Sequence, residues 1–131
     1  MPSLEPIAEE VERTAREVVD AAFRVHTTLG PGLLESVYEA CLQHELLKRQ
    51  LAVVQQVTMP IVYDGLRLET GFRLDLIVDR DLIVEIKAVA KILPVHESQM
   101  LTYLKLAQKR LGLLINFNVA RIKDGIRRFA L

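Results

Sequence analysis

An α/β domain with a mixed β-sheet of four or five strands flanked by helices is the fold class this sequence predicts, on three observations. Helical periodicity fills the first third of the chain before any strand-forming run. Two runs of β-formers around Asp79-Arg80-Asp81 read as a tight hairpin. A helical stretch then separates that hairpin from another short apolar run, the arrangement a parallel crossover requires. The 131 residues make one domain, 1–131, able to bury roughly two-thirds of its unfolded surface.

Taken in order, Ile7, Val11, Ala15, Val18, Ala22, Val25 and Leu29 recur at helical spacing, with acids gathered in the first turns where the helix dipole favours them. This predicts an amphipathic helix from Ile7 to Leu29 that packs on a sheet. His26 near its end reads as structural. Gly30-Pro31-Gly32 breaks the helix, and Pro31 is placed to start a second one running to Arg49. Within it Cys41 shares helical spacing with Leu34 and Val37, so it reads as a core residue, and as the only cysteine it forms no internal disulfide. Val53–Val57 and Pro60–Tyr63 make a strand bent at Pro60, and Asp64-Gly65 supplies the next turn. After the central hairpin comes a helix from His96 to Arg110, closed by Gly112, then a buried strand over Leu113–Phe117. Ile126–Leu131 adds an edge strand carrying Arg127 and Arg128.

The chemistry sits in the hairpin, Gly71 to Lys87. Alternation puts Phe72, Leu74, Leu76 and Val78 on one face of its first arm, with Arg73, Asp75 and Ile77 on the other. Ile83, Glu85 and Lys87 lie together on the second arm. A three-residue loop pairs Val78 with Leu82, and counting back sets Asp75 opposite Glu85 and Arg73 opposite Lys87. Facing carboxylates repel, and a bound cation relieves the conflict. Oxygen donors without a Cys or His cluster favour Mg²⁺ or Mn²⁺ over zinc. The simpler account is a strand pair with one solvated face, on which Arg73 and Lys87 neutralise the two acids; a slip of one residue in register removes the facing pair altogether.

Half the residues are hydrophobic and about a quarter charged, which fits a soluble globular protein and excludes disorder. No long apolar run marks a membrane span, and the acidic start MPSLEPIAEEVE is unlike a signal peptide, so a cytoplasmic location with no membrane partner is expected. Net charge is zero but uneven: residues 87–131 carry nine Lys and Arg against two Asp and Glu. The zero total argues against avid, sequence-independent nucleic-acid binding, while the basic third leaves Lys91, Lys105, Lys109, Arg121, Lys123, Arg127 and Arg128 as candidate phosphate contacts. Pairing with the acidic first helix is the competing explanation. A homodimer is compatible with the sequence.

Asp75 followed after nine residues by Glu85-Ile86-Lys87 resembles the signature of the PD-(D/E)XK nuclease superfamily, with Leu74 in place of the namesake proline. Gly32-Leu33-Leu34-Glu35-Ser36-Val37-Tyr38 is similar to the pattern that names the GxxExxY proteins, a family placed within that superfamily. The likeness continues through Gln99-Met100-Leu101-Thr102-Tyr103-Leu104-Lys105 and Gly112–Phe117, covering nearly the whole domain. The resemblance implies a PD-(D/E)XK nuclease-like core and a metal-dependent nuclease that hydrolyses phosphodiester bonds in nucleic acid, with DNA the expected substrate and Mg²⁺ or Mn²⁺ the cofactor. It implies Asp75, Glu85 and the Ile86 carbonyl as metal ligands, Lys87 orienting or activating the attacking water, and Glu35 as an outer or second-metal carboxylate. Gln99 and Tyr103 match a Gln-x-x-x-Tyr element found beside such sites. His96, three before Gln99 on the same face, is a further candidate substrate contact. Without the resemblance, Glu35 reads as a dipole-favoured helix acid and Gln99 with Tyr103 as surface hydrogen bonding. The rival function is a catalytically silent nuclease-like module that binds nucleic acid or a protein partner.

Overall fold

In the computed structural model, which describes residues 5–131, an acid-rich first turn of Glu9, Glu10 and Glu12 opens helix α1 (Glu9–Leu29). Its apolar stripe, Ala15, Val18, Ala21, Ala22 and Val25, is buried. His26 is buried too, its Nε2 2.8 Å from the Val119 carbonyl, which bears out the structural reading. Helix α2 (Glu35–Lys48) starts four residues later than Pro31 suggested. Gly30 and Gly32 take left-handed φ of 71° and 96°, and residues 31–34 form a loop instead of a first turn. Tyr38 holds that loop. Its hydroxyl donates to the Gly30 carbonyl at 2.6 Å and accepts from the Leu33 amide at 3.1 Å, while its buried ring stacks on Phe117 at 4.7 Å.

Strands β1 (Val53–Tyr63) and β2 (Leu66–Val78) form a long antiparallel ribbon closed by Asp64-Gly65, whose φ of 49° and 79° match the primed turn expected there. Their register shifts between Met59 and Ile61, so Pro60 marks a bulge. β2 begins at Leu66, well before the expected Phe72, and runs through Gly71, where a Cβ would collide with Ile61. The three-residue loop after β2 pairs Val78 with Leu82 as the turn residues foretold. Asp79 ties that loop to the start of β1, exchanging bonds with the Ala52 amide and carbonyl.

β3 (Leu82–Lys87) runs parallel to β4 (Leu111–Asn116), and helix α3 (Pro94–Ala107) is the crossover between them. Pro94 occupies the first turn and His96 Nδ1 accepts the Leu93 amide at 3.0 Å, so His96 caps the helix. The helix ends at a left-handed Gln108, not at Gly112. Gly112 lies within β4, where a Cβ would come 2.5 Å from Met100 Sδ, so its role is close approach of α3 to the sheet. β5 (Ile126–Ala130) follows a 3₁₀ turn and pairs antiparallel with β4, giving a five-stranded mixed sheet in the order β1-β2-β3-β4-β5.

Side chains alternate along β3 and β4 into two cores. Leu82, Val84, Ile86, Leu111, Leu113 and Ile115 meet α1 and α2, whereas Ile83 and Leu114 meet Met100 and Leu104 of α3. β2 departs from simple alternation. Leu76 and Val78 enter the α1/α2 core, but Phe72 and Leu74 enter the α3 core, so the four do not share one face. The change occurs at Asp75, opposite Gln56, which has a left-handed φ of 51°, and the same change separates Val53 from Val57 on β1.

Because Tyr38 satisfies two main-chain groups with one hydroxyl, Tyr38→Phe should lower unfolding free energy by about 1–3 kcal/mol in chemical denaturation, with little change in the m-value.

Candidate active site

The β2–β3 ladder is hydrogen-bonded over Leu76↔Val84, Ile77↔Ile83 and Val78↔Leu82 and then stops. The next position of that register holds Asp75 and Glu85. They do not face each other as a bare repelling pair. The Asp75 amide donates to Glu85 Oε2 at 2.7 Å, and the Ile86 amide donates to Asp75 Oδ2 at 2.8 Å. Each carboxylate thus takes the place of a carbonyl on the opposite strand, leaving one oxygen of each without a protein hydrogen bond among the described residues. Arg73 and Lys87 make no ion pair with either acid among the described residues, and Lys87 acts on Glu85 through its field alone.

Glu85 is 5% exposed. Burial first, and the neighbouring Asp75 second, push its carboxyl up to about 8; the Asp75 amide and Lys87 pull the other way, and Glu35 adds to the rise. Glu35 opens α2, and its side chain is exposed at the surface but close enough to sense the pair. Partial desolvation and then Asp75 raise its carboxyl, against Lys87 and the Ala88 amide. On the other side of the sheet, burial and then Glu85 and Asp75 raise the Tyr103 hydroxyl, whose ring stacks on Phe72 at 4.9 Å. The fold therefore gathers Glu35, Asp75, Glu85, Lys87 and Tyr103 around one break in the ladder. Gln99 lies one turn before Tyr103 on α3, half-buried, with no bond to the carboxylates among the described residues. Ile86 buries its side chain in the α1/α2 core between Glu85 and Lys87.

Asn116, at the end of β4, was not singled out for a role by its chemistry. Its Oδ1 accepts the Val89 and Asn118 amides at 3.1 and 3.2 Å and its Nδ2 donates to the Val89 carbonyl at 2.9 Å, fixing the chain that leaves Lys87. A lone amide closing the apolar run Leu113–Ile115 is the sequence signal that could have found it.

Among the described residues no three His, Cys, Asp or Glu side chains form a ready group for a metal ion. The donors nevertheless suit a hard divalent cation: two carboxylates with an oxygen free on each among the described residues, a third nearby, and a Glu85 carboxyl that burial and then Asp75 already raise. The candidate phosphate contacts of the C-terminal third fare unevenly. Arg128 is bound by two bonds to Glu12, Arg127 pairs with Glu97, Arg121 with Asp124 and Lys109 with Asp81, whereas Lys91, Lys105 and Lys123 are unpaired among the described residues.

Against known families, residues 12–129 match the model of the PD-(D/E)XK nuclease superfamily. No curated protein and no solved structure gave a match.

Two outcomes follow from the crossed bonds. Asp75→Asn keeps an acceptor for Ile86 and should be tolerated in the metal-free protein, while Asp75→Ala orphans that amide and should cost about 1–3 kcal/mol in denaturant melts. The second outcome concerns pH. The unfolded Glu85 releases its proton near about 4.3, but the folded one holds it to about 8, so the folded state binds more protons across that window. In chelator, the contribution of Glu85 to stability should fall as pH rises from the lower value through the upper, and Glu85→Gln should flatten that part of the profile.

Proposed function

Since the chain belongs to the PD-(D/E)XK nuclease superfamily, we propose that it is a metal-dependent nuclease that hydrolyses phosphodiester bonds in nucleic acid, with DNA as its substrate. The observation that carries this reading is the meeting of Asp75 and Glu85 at the break in the β2–β3 ladder, with Glu35 and Lys87 in their field. Gly32, Glu35 and Tyr38 support the narrower assignment to the GxxExxY proteins, since the glycine's left-handed turn and the tyrosine's clamp present the glutamate at the helix start. The proposal includes a cytoplasmic location; no helix of the described residues is long and apolar enough to cross a membrane.

Asp75, Glu85 and the Ile86 carbonyl are the proposed ligands of Mg²⁺ or Mn²⁺, which when bound supplies an ionisable water at neutral pH and offsets charge growing on the phosphate. Lys87, half-buried and free of ion pairs among the described residues, orients that water or holds a phosphate oxygen. Asn116 keeps the chain after Lys87 in place for this. Glu35 acts as the outer carboxylate, able to take up a proton because partial desolvation and then Asp75 raise its affinity for one. Gln99 and Tyr103 line the substrate side from α3.

The second reading, a silent nucleic-acid or protein-binding module, draws on one observation: each acid accepts a main-chain amide of the other strand, so the pair is coherent as a structural device.

Hydrolysis of DNA in Mn²⁺ decides between them. Wild type should cleave, and Lys87→Ala should lose about 10²-fold or more in rate while still gaining thermal stability from Mn²⁺. Cleavage unchanged in Lys87→Ala refutes the assigned role, and intact substrate with metal demonstrably bound favours the module.

A further inference from the structure

We propose that nucleic acid enters this site with its bases unpaired, so that the segment lying on the carboxylates is single-stranded. The inference rests on the nuclease reading for the identity of the polymer and adds the form that polymer takes.

Both helices that carry site residues bring apolar groups beside them. On the α3 side the Phe72 and Tyr103 rings stack at 4.9 Å with 23° between their planes, both half-buried, and Tyr103 stands in the field of Asp75 and Glu85. On the α2 side Leu34 is 73% exposed immediately before Glu35, and Leu33 is 42% exposed beside it. α2 and α3 pack on opposite faces of the sheet, so the leucines adjoin Glu35 on one face while Phe72, three residues before Asp75, and Tyr103 lie against the core on the other. Aromatic rings and leucines find their complement in the faces of nucleobases, which a duplex keeps stacked inside and a single strand offers.

Charge agrees with shape. A duplex is held chiefly by cations that meet phosphates of both strands. Here Lys109, Arg121, Arg127 and Arg128 already answer acids of the protein itself. Unpaired among the described residues and near site residues in sequence are Lys87, Arg73 two residues before Asp75, Lys91 four after Lys87 and Lys105 two after Tyr103, while Arg80 sits in the turn at the far end of the hairpin; all but Lys87 are exposed. Such a sparse set suits one backbone.

Fluorescence anisotropy with a labelled single-stranded DNA, the same strand annealed into a blunt duplex, and a forked duplex with unpaired arms tests this. Ca²⁺ serves as the cation, having the same charge with a looser coordination shell. The single strand and the fork should bind roughly tenfold or more tighter than the blunt duplex. Phe72→Leu and Leu34→Ser should each weaken single-strand binding several-fold, on the order of a lost base stack, and leave duplex binding unchanged. Leu34→Ser alters an exposed helix-capping position, so it carries the test even where Phe72→Leu disturbs the α3 core. Equal or tighter binding of the duplex, unchanged binding by both variants, or no binding of any of the three DNAs overturns the proposal. Hydrolysis of blunt duplex as fast as of single strand, measured in Mn²⁺, overturns it while leaving the nuclease reading in place. Selective single-strand binding without hydrolysis upholds it and removes the nuclease reading instead.

Discussion

Two hydrogen bonds, from the Asp75 amide to Glu85 and from the Ile86 amide to Asp75, govern how this molecule is built. They stand where the β2–β3 ladder would otherwise continue. By substituting side-chain oxygens for carbonyls they let the ladder end here without leaving these amides orphaned. The same step reverses which core the side chains of β2 enter, so Leu74 serves α3 and Leu76 serves α1 and α2. A regular ladder would seal the site; a break without these bonds would leave buried polar groups unmet.

Three further side chains fix the segments around the break. Tyr38 fixes the loop that delivers Glu35, Asn116 fixes the chain that leaves Lys87, and Asp79 anchors the far turn to Ala52 so the register cannot slip. Each uses one polar side chain against main-chain groups of another segment. Rigid elements thus carry the acids, while the adjustments needed to aim them are confined to loops closed by a single residue.

How far the sequence disclosed this varied with the physics of each signal. The register at Val78 and Leu82 followed from turn length alone, and the parallel crossover from a helix between two strand-like runs. Asp75 and Glu85 were legible as a charged pair on apolar strands. Their crossed bonds were not, because Phe72-Arg73-Leu74-Asp75-Leu76 alternates as regularly as a flat strand does, and the break appears only in Gln56 across the ribbon, whose left-handed φ no local pattern demands. Gly112 was misread as a helix stop since the same residue type serves caps and close approaches, and only the position of Met100 tells them apart. Pro31 misled for a like reason: it suits a first helical turn, yet the glycines on either side hold it in a loop.

Arg110 joins parts of the chain that no strand pairing connects. Its guanidinium donates to the carbonyls of Glu5, Pro6 and Leu131, and its own carbonyl accepts the Leu131 amide, so the segment entering the fold and the segment leaving it are held by one side chain. The two ends of the described chain therefore form a single seam. A short linker could join them and a new opening be cut at the Asp64-Gly65 turn, giving a circularly permuted protein in which the order of the elements changes and the neighbours of Asp75 and Glu85 do not.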